Sequence, residues 1–128
     1  MILLDTHAWI WWAANDPQLS RTAARAIGAD DVRGVSPLSC YETARLVTRG
    51  RLTLDRDVEA WIVAALALPG TAVLDATPTI LTRAALLGES LHGDPIDRML
   101  VATAMHHGIP IVTKDRRIRA WDAVRTIW

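Results

Sequence analysis

The chain opens with Met1-Ile2-Leu3-Leu4-Asp5-Thr6-His7, a short apolar run that ends in a carboxylate. An apolar run of this length is typical of a strand that is covered on both faces in a parallel sheet. Thr6 is a preferred helix N-cap, so we expect it to cap the next helix and to leave Asp5 without that role. Burial at the end of a strand removes the hydration of a carboxylate, and without a capping role nothing in the structure offsets that cost. This pattern favours a functional role for Asp5.

The rest of the sequence continues this alternation of short strands and helices. Further strands are predicted at residues 32–35, 71–74, 109–113 and 124–128, most of them bounded by Gly, Pro or Asp. Helices are predicted at residues 20–27, 40–49, 57–68, 78–87 and 96–107. This order predicts an α/β fold with a parallel sheet that carries helices on both faces.

Length and composition predict a single globular domain over residues 1–128. Hydrophobic residues make up 51% and charged residues 22%, and no linker or repeat divides the chain. One cysteine builds no disulfide framework, and we recognise neither a signal peptide nor an apolar run long enough for a membrane span. We therefore expect a cytoplasmic protein that does not enter the membrane. Lys+Arg and Asp+Glu both number 14, so any nucleic-acid-binding patch must be local.

Four segments of the chain bring acidic residues to one edge of the predicted sheet. Asp5 and Asp115 follow strands, while Glu42 and Asp97 lie near the amino ends of helices, the latter three residues after Asp94. Ligands bind at this edge in parallel α/β folds. Because neighbouring carboxylates repel each other, a divalent cation is the simplest way to hold them together. Oxygen ligands suit Mg²⁺ or Mn²⁺, whereas the four histidines and one cysteine lack the spacing of a zinc site.

The same acids also fit structural roles at helix ends. Ser39 and Glu42 match a capping box, and Asp94 with Asp97 matches an N-cap followed by an acid in the first turn. Considered one at a time, capping is the better explanation of these residues. Asp115 could equally cap the short segment that follows it. The sequence leaves these alternatives open.

Three segments of the sequence resemble the PIN domain, and in particular the VapC toxins of bacterial toxin–antitoxin pairs. They are LLDTHAWIWW (3–12), LSCYETARLVTRGRL (38–52) and GDPIDRMLVATAMHHGIPIVTKD (93–115). The resemblance extends over nearly the whole chain. It implies a three-layer α/β/α fold with a central, mostly parallel five-stranded sheet, and a metal-dependent endoribonuclease toxin with a VapB-like antitoxin as partner and a homodimeric assembly.

The resemblance also assigns roles to individual residues. It implies that Asp5, Glu42, Asp97 and Asp115 form the catalytic metal pocket for Mg²⁺ or Mn²⁺. Asp5, Asp97 and Asp115 would hold the ion, and Glu42 would bind a second ion or orient the attacking water. Such an ion lowers the pKa of water and neutralises phosphate charge. Residues expected to support the pocket are Thr6, Asp94 and Thr113.

Basic residues close to these acids are candidates for RNA phosphate contacts. They are Arg98, Lys114, Arg116 and Arg117, with Arg119 one turn further on. Phosphate neutralisation is the main affinity term for nucleic acids, so their clustering favours a function. A solvated basic face explains any single one of them equally well.

The first helix carries more aromatic residues than one sheet can cover. Trp9, Trp11 and Trp12 point to more than one side of it, and we interpret them as partner-binding residues, with Trp11 the most exposed. One or two of these rings could instead pack in the core, to which we assign Trp61, Trp121 and Trp128.

Two alternative functions remain to be compared with the nuclease. A receiver-like signalling domain that binds Mg²⁺ would use Asp75 as its phospho-acceptor, but the first strand ends in one acid and not in a pair. A catalytically idle PIN-like module would only bind protein, and the intact set of acids argues against it.

Overall fold

Five short parallel strands form one sheet in the computed structural model, which describes residues 1–91 and 93–128. The strand order is β3-β2-β1-β4-β5, and every neighbouring pair is parallel. This confirms the predicted α/β class, although each strand is shorter than expected, the last two most of all. The strands are β1 (Ile2–Leu4), β2 (Arg33–Val35), β3 (Thr71–Val73), β4 (Ile111–Val112) and β5 (Thr126–Ile127).

Helices connect the strands and cover the sheet. Along β1, Ile2 and Leu4 belong to one buried cluster while Leu3 belongs to a second, as expected for side chains that alternate between the two faces. Apolar side chains thus cover both faces of the sheet. The helices are α1 (Thr6–Ala13), α2 (Arg21–Ala29), α3 (Pro37–Thr48), α4 (Val58–Leu66), α5 (Pro78–Ala85), α6 (Pro95–His107) and α7 (Arg116–Arg119).

The strand order places a crevice at the carboxyl ends of β1 and β4. From β1 the chain builds outward through β2 and β3, then returns to place β4 on the other side of β1. Connections leave in opposite directions at this point, which opens a space where ligands bind in α/β folds. Asp5 directly follows β1, and Thr113 directly follows β4.

Two helices begin earlier than predicted, and both differences affect candidate residues. Asp5 is the N-cap of α1, and Thr6 is the first helical residue, so the expectation that Thr6 caps this helix is wrong. The N-cap of α3 is Ser36, followed by Pro37. Ser39 therefore lies inside the helix and is buried, and the predicted capping box with Glu42 is wrong.

The tryptophans of α1 have different environments. Trp9 is only 1% exposed and packs edge-to-face against Trp61, so the expected partner contact is contradicted for this residue, which belongs to the core. Trp11 and Trp12 are half-buried. Trp12 lies under the guanidinium of Arg33, with a distance of 5.4 Å from the guanidinium carbon to the ring centroid. Within residues 1–91 and 93–128, the helices are too short or too polar to span a bilayer.

Candidate functional site

A cleft of about 570 Å³ opens at the carboxyl ends of β1 and β4. Acidic and basic side chains both line it, and they come from segments far apart in sequence. The expected acids Asp5, Glu42, Asp97 and Asp115 all lie there. Among residues 1–91 and 93–128, the side chains that line it are Asp5, His7, Trp11, Gln18, Glu42, Arg45, Leu46, Arg49, Arg51, Asp94, Asp97, Lys114 and Asp115.

Asp5 is held firmly at the back of this cleft. Its carboxylate accepts a hydrogen bond of 2.8 Å from the backbone N–H of Ala8, and the hydroxyl of Thr113 donates to it as well. The residue is 8% exposed. Loss of hydration raises the pKa of Asp5, although these two hydrogen bonds act in the opposite direction. The side chain thus caps α1 and also faces the cleft.

Glu42 reaches the cleft from the second turn of α3 and not from a helix end. Its side chain is half-buried, and the Thr6 hydroxyl hydrogen-bonds to it. Burial raises the pKa of Glu42, and the negative charges of Asp94 and Asp5 add to the effect. Glu42 makes no capping bond, so helix capping does not offset the cost of partly burying its carboxylate.

The carboxyl of Asp97 is surrounded by the other acids of the cleft. Burial, together with the negative charges of Asp94, Asp115, Glu42 and Asp5, raises the pKa of this carboxyl to about 7. Asp94 also caps α6, because its carboxylate accepts a hydrogen bond of 3.0 Å from the backbone N–H of Asp97. The predicted N-cap is thus confirmed. The two acids nevertheless line the cleft together.

Asp115 likewise combines a cap with a position in the cleft. Its carboxylate accepts hydrogen bonds from the backbone N–H groups of Arg117 at 2.8 Å and Ile118 at 3.0 Å, and it lies 3.6 Å from the Arg117 guanidinium. The N–H of Asp115 donates to the Thr113 hydroxyl at 3.1 Å. Thr113 therefore connects Asp115 with Asp5 beneath the cleft.

Most of the possible metal ligands in the cleft are carboxylate oxygens, beside the imidazole of His7. Such donors suit Mg²⁺ and Mn²⁺ better than softer metals. Among residues 1–91 and 93–128, no three His, Cys, Asp or Glu side chains form a ready-made ion-binding cluster. The acids thus share a cleft and influence one another's pKa without being preassembled around a single point.

The predicted basic residues divide into two groups. Lys114 lines the cleft, with its ammonium 5.7 Å from the centroid of the Trp11 ring, and Arg116 and Arg117 are exposed nearby on α7. Arg98, in contrast, turns away from the cleft and donates hydrogen bonds to backbone carbonyl oxygens. The structure does not support the expected phosphate contact of Arg98. The acceptors are the carbonyl oxygens of Ala84, Ala85, Gly88 and Leu91, at 2.9 to 3.4 Å.

Sequence analysis missed several residues that line the cleft. Arg45 and Arg49 follow Glu42 by three and seven residues, a spacing that places side chains on one face of a helix. That spacing is a signal we could have used, once Glu42 was a candidate. His7 and Gln18 carry no comparable signal. Asp75, the candidate of the receiver-like alternative, is exposed and lies outside the lining described above.

Comparison with known proteins agrees with this fold. Residues 2–124 match the PIN domain family. Ribonuclease VapC22 of Mycobacterium tuberculosis (strain ATCC 25618 / H37Rv) is 37% identical over 129 residues, which cover 99% of this chain and 98% of that protein. The chain therefore belongs to the PIN-domain family. Within that family, the identity over nearly the full length places it among the VapC proteins.

Solved structures with the same fold are more distant in sequence. VapBC2 from Rickettsia felis, bound to a DNA fragment from its promoter, aligns with a TM-score of 0.69 at 13% identity and covers 98% of this chain and 97% of that one. A toxin–antitoxin complex from Klebsiella pneumoniae gives a TM-score of 0.68 at 16% identity, covering 97% and 95%. At these identities the similarity concerns the fold alone.

Proposed function

We propose that this chain is a metal-dependent endoribonuclease and the toxin of a toxin–antitoxin pair. The observation that carries the proposal is the convergence of Asp5, Glu42, Asp97 and Asp115, from four segments of the chain, on one cleft. The 37% identity to a ribonuclease supports the reaction class. The fold alone would not, because one fold supports many activities.

The donor set of the cleft fits a hard divalent cation. Asp5, Asp97 and Asp115 would hold Mg²⁺ or Mn²⁺ through carboxylate oxygens. When bound, the ion supplies positive charge at the phosphate and lowers the pKa of water, which makes water a nucleophile near neutral pH. It would also offset the mutual repulsion that, after burial, contributes to the raised pKa of Asp97.

The protein's own groups would position the reaction. Asp5 is fixed by its hydrogen bonds to Ala8 and Thr113 and therefore presents its carboxylate at constant geometry. Glu42, held by the Thr6 hydroxyl, would orient the attacking water and accept its proton, for which its raised pKa is suited. Attack by water in line with the leaving oxygen would give a 5′-phosphate product.

A partner protein completes the proposal. A VapB-like antitoxin would bind the half-buried aromatic residues Trp11 and Trp12, and the chain would form a homodimer, as the family resemblance implies. The position of Trp11 at the edge of the cleft supports this role, because a partner that covers Trp11 also obstructs the acids.

A cleavage assay tests the nuclease directly. The purified chain is incubated with a fluorescently labelled RNA and Mn²⁺ or Mg²⁺, with and without EDTA. We expect metal-dependent cleavage that Asp5→Asn and Glu42→Gln abolish. Asp75→Asn, which changes an exposed acid outside the cleft, is the matched control and should cleave normally. Cleavage that persists in EDTA, or in both cleft variants, would overturn the proposal.

Growth arrest tests the toxin role separately. Expression of the unsubstituted chain should stop growth, whereas Asp97→Asn should be harmless at the same protein level. Equal toxicity of the two forms would indicate an activity other than metal-dependent cleavage.

A further inference from the structure

We propose that Arg45, Arg49 and Arg51, here called the α3 arginine row, bind the backbone phosphates of RNA next to the phosphate that is cleaved. This inference rests on the proposed ribonuclease function and adds the residues that hold its substrate. All three side chains line the acidic cleft, and all three are exposed.

The geometry of α3 places the row beside the acids. Arg45 and Arg49 lie on the helix face that carries Glu42, displaced along the helix axis by roughly 4.5 and 10.5 Å. A phosphate that lies at the acids would therefore have neighbouring phosphates close to these guanidinium groups.

The end of α3 holds Arg51 in the same region. Gly50 has a φ of +68°, in the left-handed region that favours glycine. The N–H of Gly50 donates to the carbonyl oxygen of Val47 at 3.0 Å, and the N–H of Arg51 donates to that of Leu46 at 2.9 Å. This pair of bonds is a Schellman motif, which turns the chain back over the last turn of the helix. Arg51 thereby returns to the cleft instead of leaving it.

The row is not used by the fold itself. In the part of the chain that the structure describes, none of its three guanidinium groups forms an ion pair or a hydrogen bond. Arg33 and Arg98, in contrast, donate to backbone carbonyl oxygens and stabilise loops. Exposed guanidinium groups without a carboxylate partner are available to an anion, and their planar donors match phosphate oxygens.

The charge of the cleft explains why the substrate needs such a row. Five carboxylates line the cleft and would repel an approaching polyanion. The three arginines and Lys114 place positive charge at the same entrance, although the chain as a whole has a formal net charge of +0. A strand that contacts the row can thus bring one phosphate to the acids while its neighbours are neutralised.

Binding measurements on an inert background test the row without interference from cleavage. Fluorescence anisotropy of a labelled single-stranded RNA is followed with Asp5→Asn, and with Asp5→Asn carrying Arg45→Gln and Arg49→Gln, at several KCl concentrations. Each lost phosphate contact should reduce the slope of log K against log salt by about 0.7 and weaken binding about fivefold at about 0.1 M salt. The double substitution should therefore weaken binding about 25-fold.

Controls separate a lost contact from a lost fold or a general loss of charge. Arg25→Gln removes an exposed arginine of α2 outside the cleft and should leave both affinity and slope unchanged. Thermal unfolding should be equal among variants that share the Asp5→Asn background, since the substituted arginine side chains are exposed. In the otherwise unsubstituted chain, Arg45→Gln with Arg49→Gln should raise KM while kcat is retained.

The outcomes distinguish this inference from the proposed function. If the unsubstituted chain cleaves RNA but affinity, salt slope and KM are insensitive to Arg45→Gln and Arg49→Gln, the inference is wrong and the function stands. The same holds if Arg25→Gln reduces binding equally, because a uniform charge effect then explains the result. If the unsubstituted chain shows no metal-dependent cleavage, the proposed function fails. The α3 arginine row would still be supported in that case if the double substitution reduced the slope of log K against log salt.

Discussion

A hydrogen bond of 3.1 Å joins the hydroxyls of Thr6 and Ser39, and both side chains are buried. Thr6 is the first residue of α1, directly after Asp5, and Ser39 lies in α3, three residues before Glu42. The bond therefore joins the two helices that present Asp5 and Glu42. A buried bond between these helices restricts the separation of the two acids.

Ser39→Ala is expected to destabilise the protein by about 1 to 2 kcal/mol, because it leaves the buried Thr6 hydroxyl without this partner. Urea unfolding measures the loss. Thr82→Ala, at an exposed position of α5, is the control and should not lower the free energy of unfolding by more than about 0.5 kcal/mol. Equal effects at the two positions would mean that the buried bond contributes nothing measurable.

Asp5 offers a pair of variants that separates its two roles. Asn caps helices about as well as Asp, so Asp5→Asn should keep the bond to Ala8 and, since it removes a buried charge, should not lower the free energy of unfolding. Asp5→Ala loses the cap and should cost about 1 kcal/mol. Cleavage should be lost in both. Calorimetry together with the RNA assay gives these readouts, and full activity of Asp5→Asn would exclude the residue from the proposed metal site.

Local patterns in the sequence predicted the sheet and the convergence of acids. Apolar runs bounded by Gly, Pro or Asp located the strands, and the rule that parallel strands end at one edge brought Asp5 and Asp115 together before the structure did. Both inferences need only near neighbours in the chain and the general geometry of parallel sheets. The fold and the cleft acids were therefore accessible from sequence.

The errors arose where several residues competed for one role. Thr6 and Asp5 are both good N-caps, as are Ser36 and Ser39, and the choice depends on the residue at which the tertiary fold begins each helix. In this fold Thr6 and Ser39 bond to each other across two helices. The local sequence pattern does not predict a contact between residues 33 positions apart. Capping and function were also treated as alternatives, whereas Asp5 combines a cap with a place in the cleft.

We expect Asp97 to make the stability of the metal-free protein depend on pH. Its pKa is about 7 in the folded chain and 3.8 as its ordinary value, chiefly because of burial. Between these values the folded state holds a proton that the unfolded state has released. The free energy of unfolding should therefore fall as the pH rises from about 4 to about 7, by at most about 1.4 kcal/mol per pH unit from this group. Above about pH 7 this contribution should be constant.

Urea unfolding in EDTA across this pH range measures the effect. Asp97→Asn should make the free energy of unfolding depend less steeply on pH. It should not remove the dependence, since burial also raises the pKa of Asp5 and Glu42. Asp75→Asn is the control at an exposed site and should follow the unsubstituted chain. A curve for Asp97→Asn that is as steep as that of the unsubstituted chain would show that another group is responsible.

Arg98 is expected to stabilise the fold and to have no part in RNA binding. Its guanidinium donates to the carbonyl oxygens of Ala84 and Ala85 near the end of α5 and to those of Gly88 and Leu91 in the following loop. These acceptors would lose a charged partner in Arg98→Gln, so the free energy of unfolding should fall by about 2 kcal/mol or more. Arg98→Lys should retain only part of the stability that is lost in Arg98→Gln, because an ammonium lacks the planar set of donors.

Unfolding and cleavage must be measured on the same samples, at a temperature where every variant is folded. Arg98→Gln should then retain the KM and the salt dependence of the unsubstituted chain, while Arg45→Gln with Arg49→Gln should change both and leave unfolding unaltered. Arg25→Gln, exposed on α2, should change none of these quantities. If Arg98→Gln instead has normal stability and a raised KM, Arg98 binds the substrate. That was the first expectation from its position next to Asp97 in the sequence.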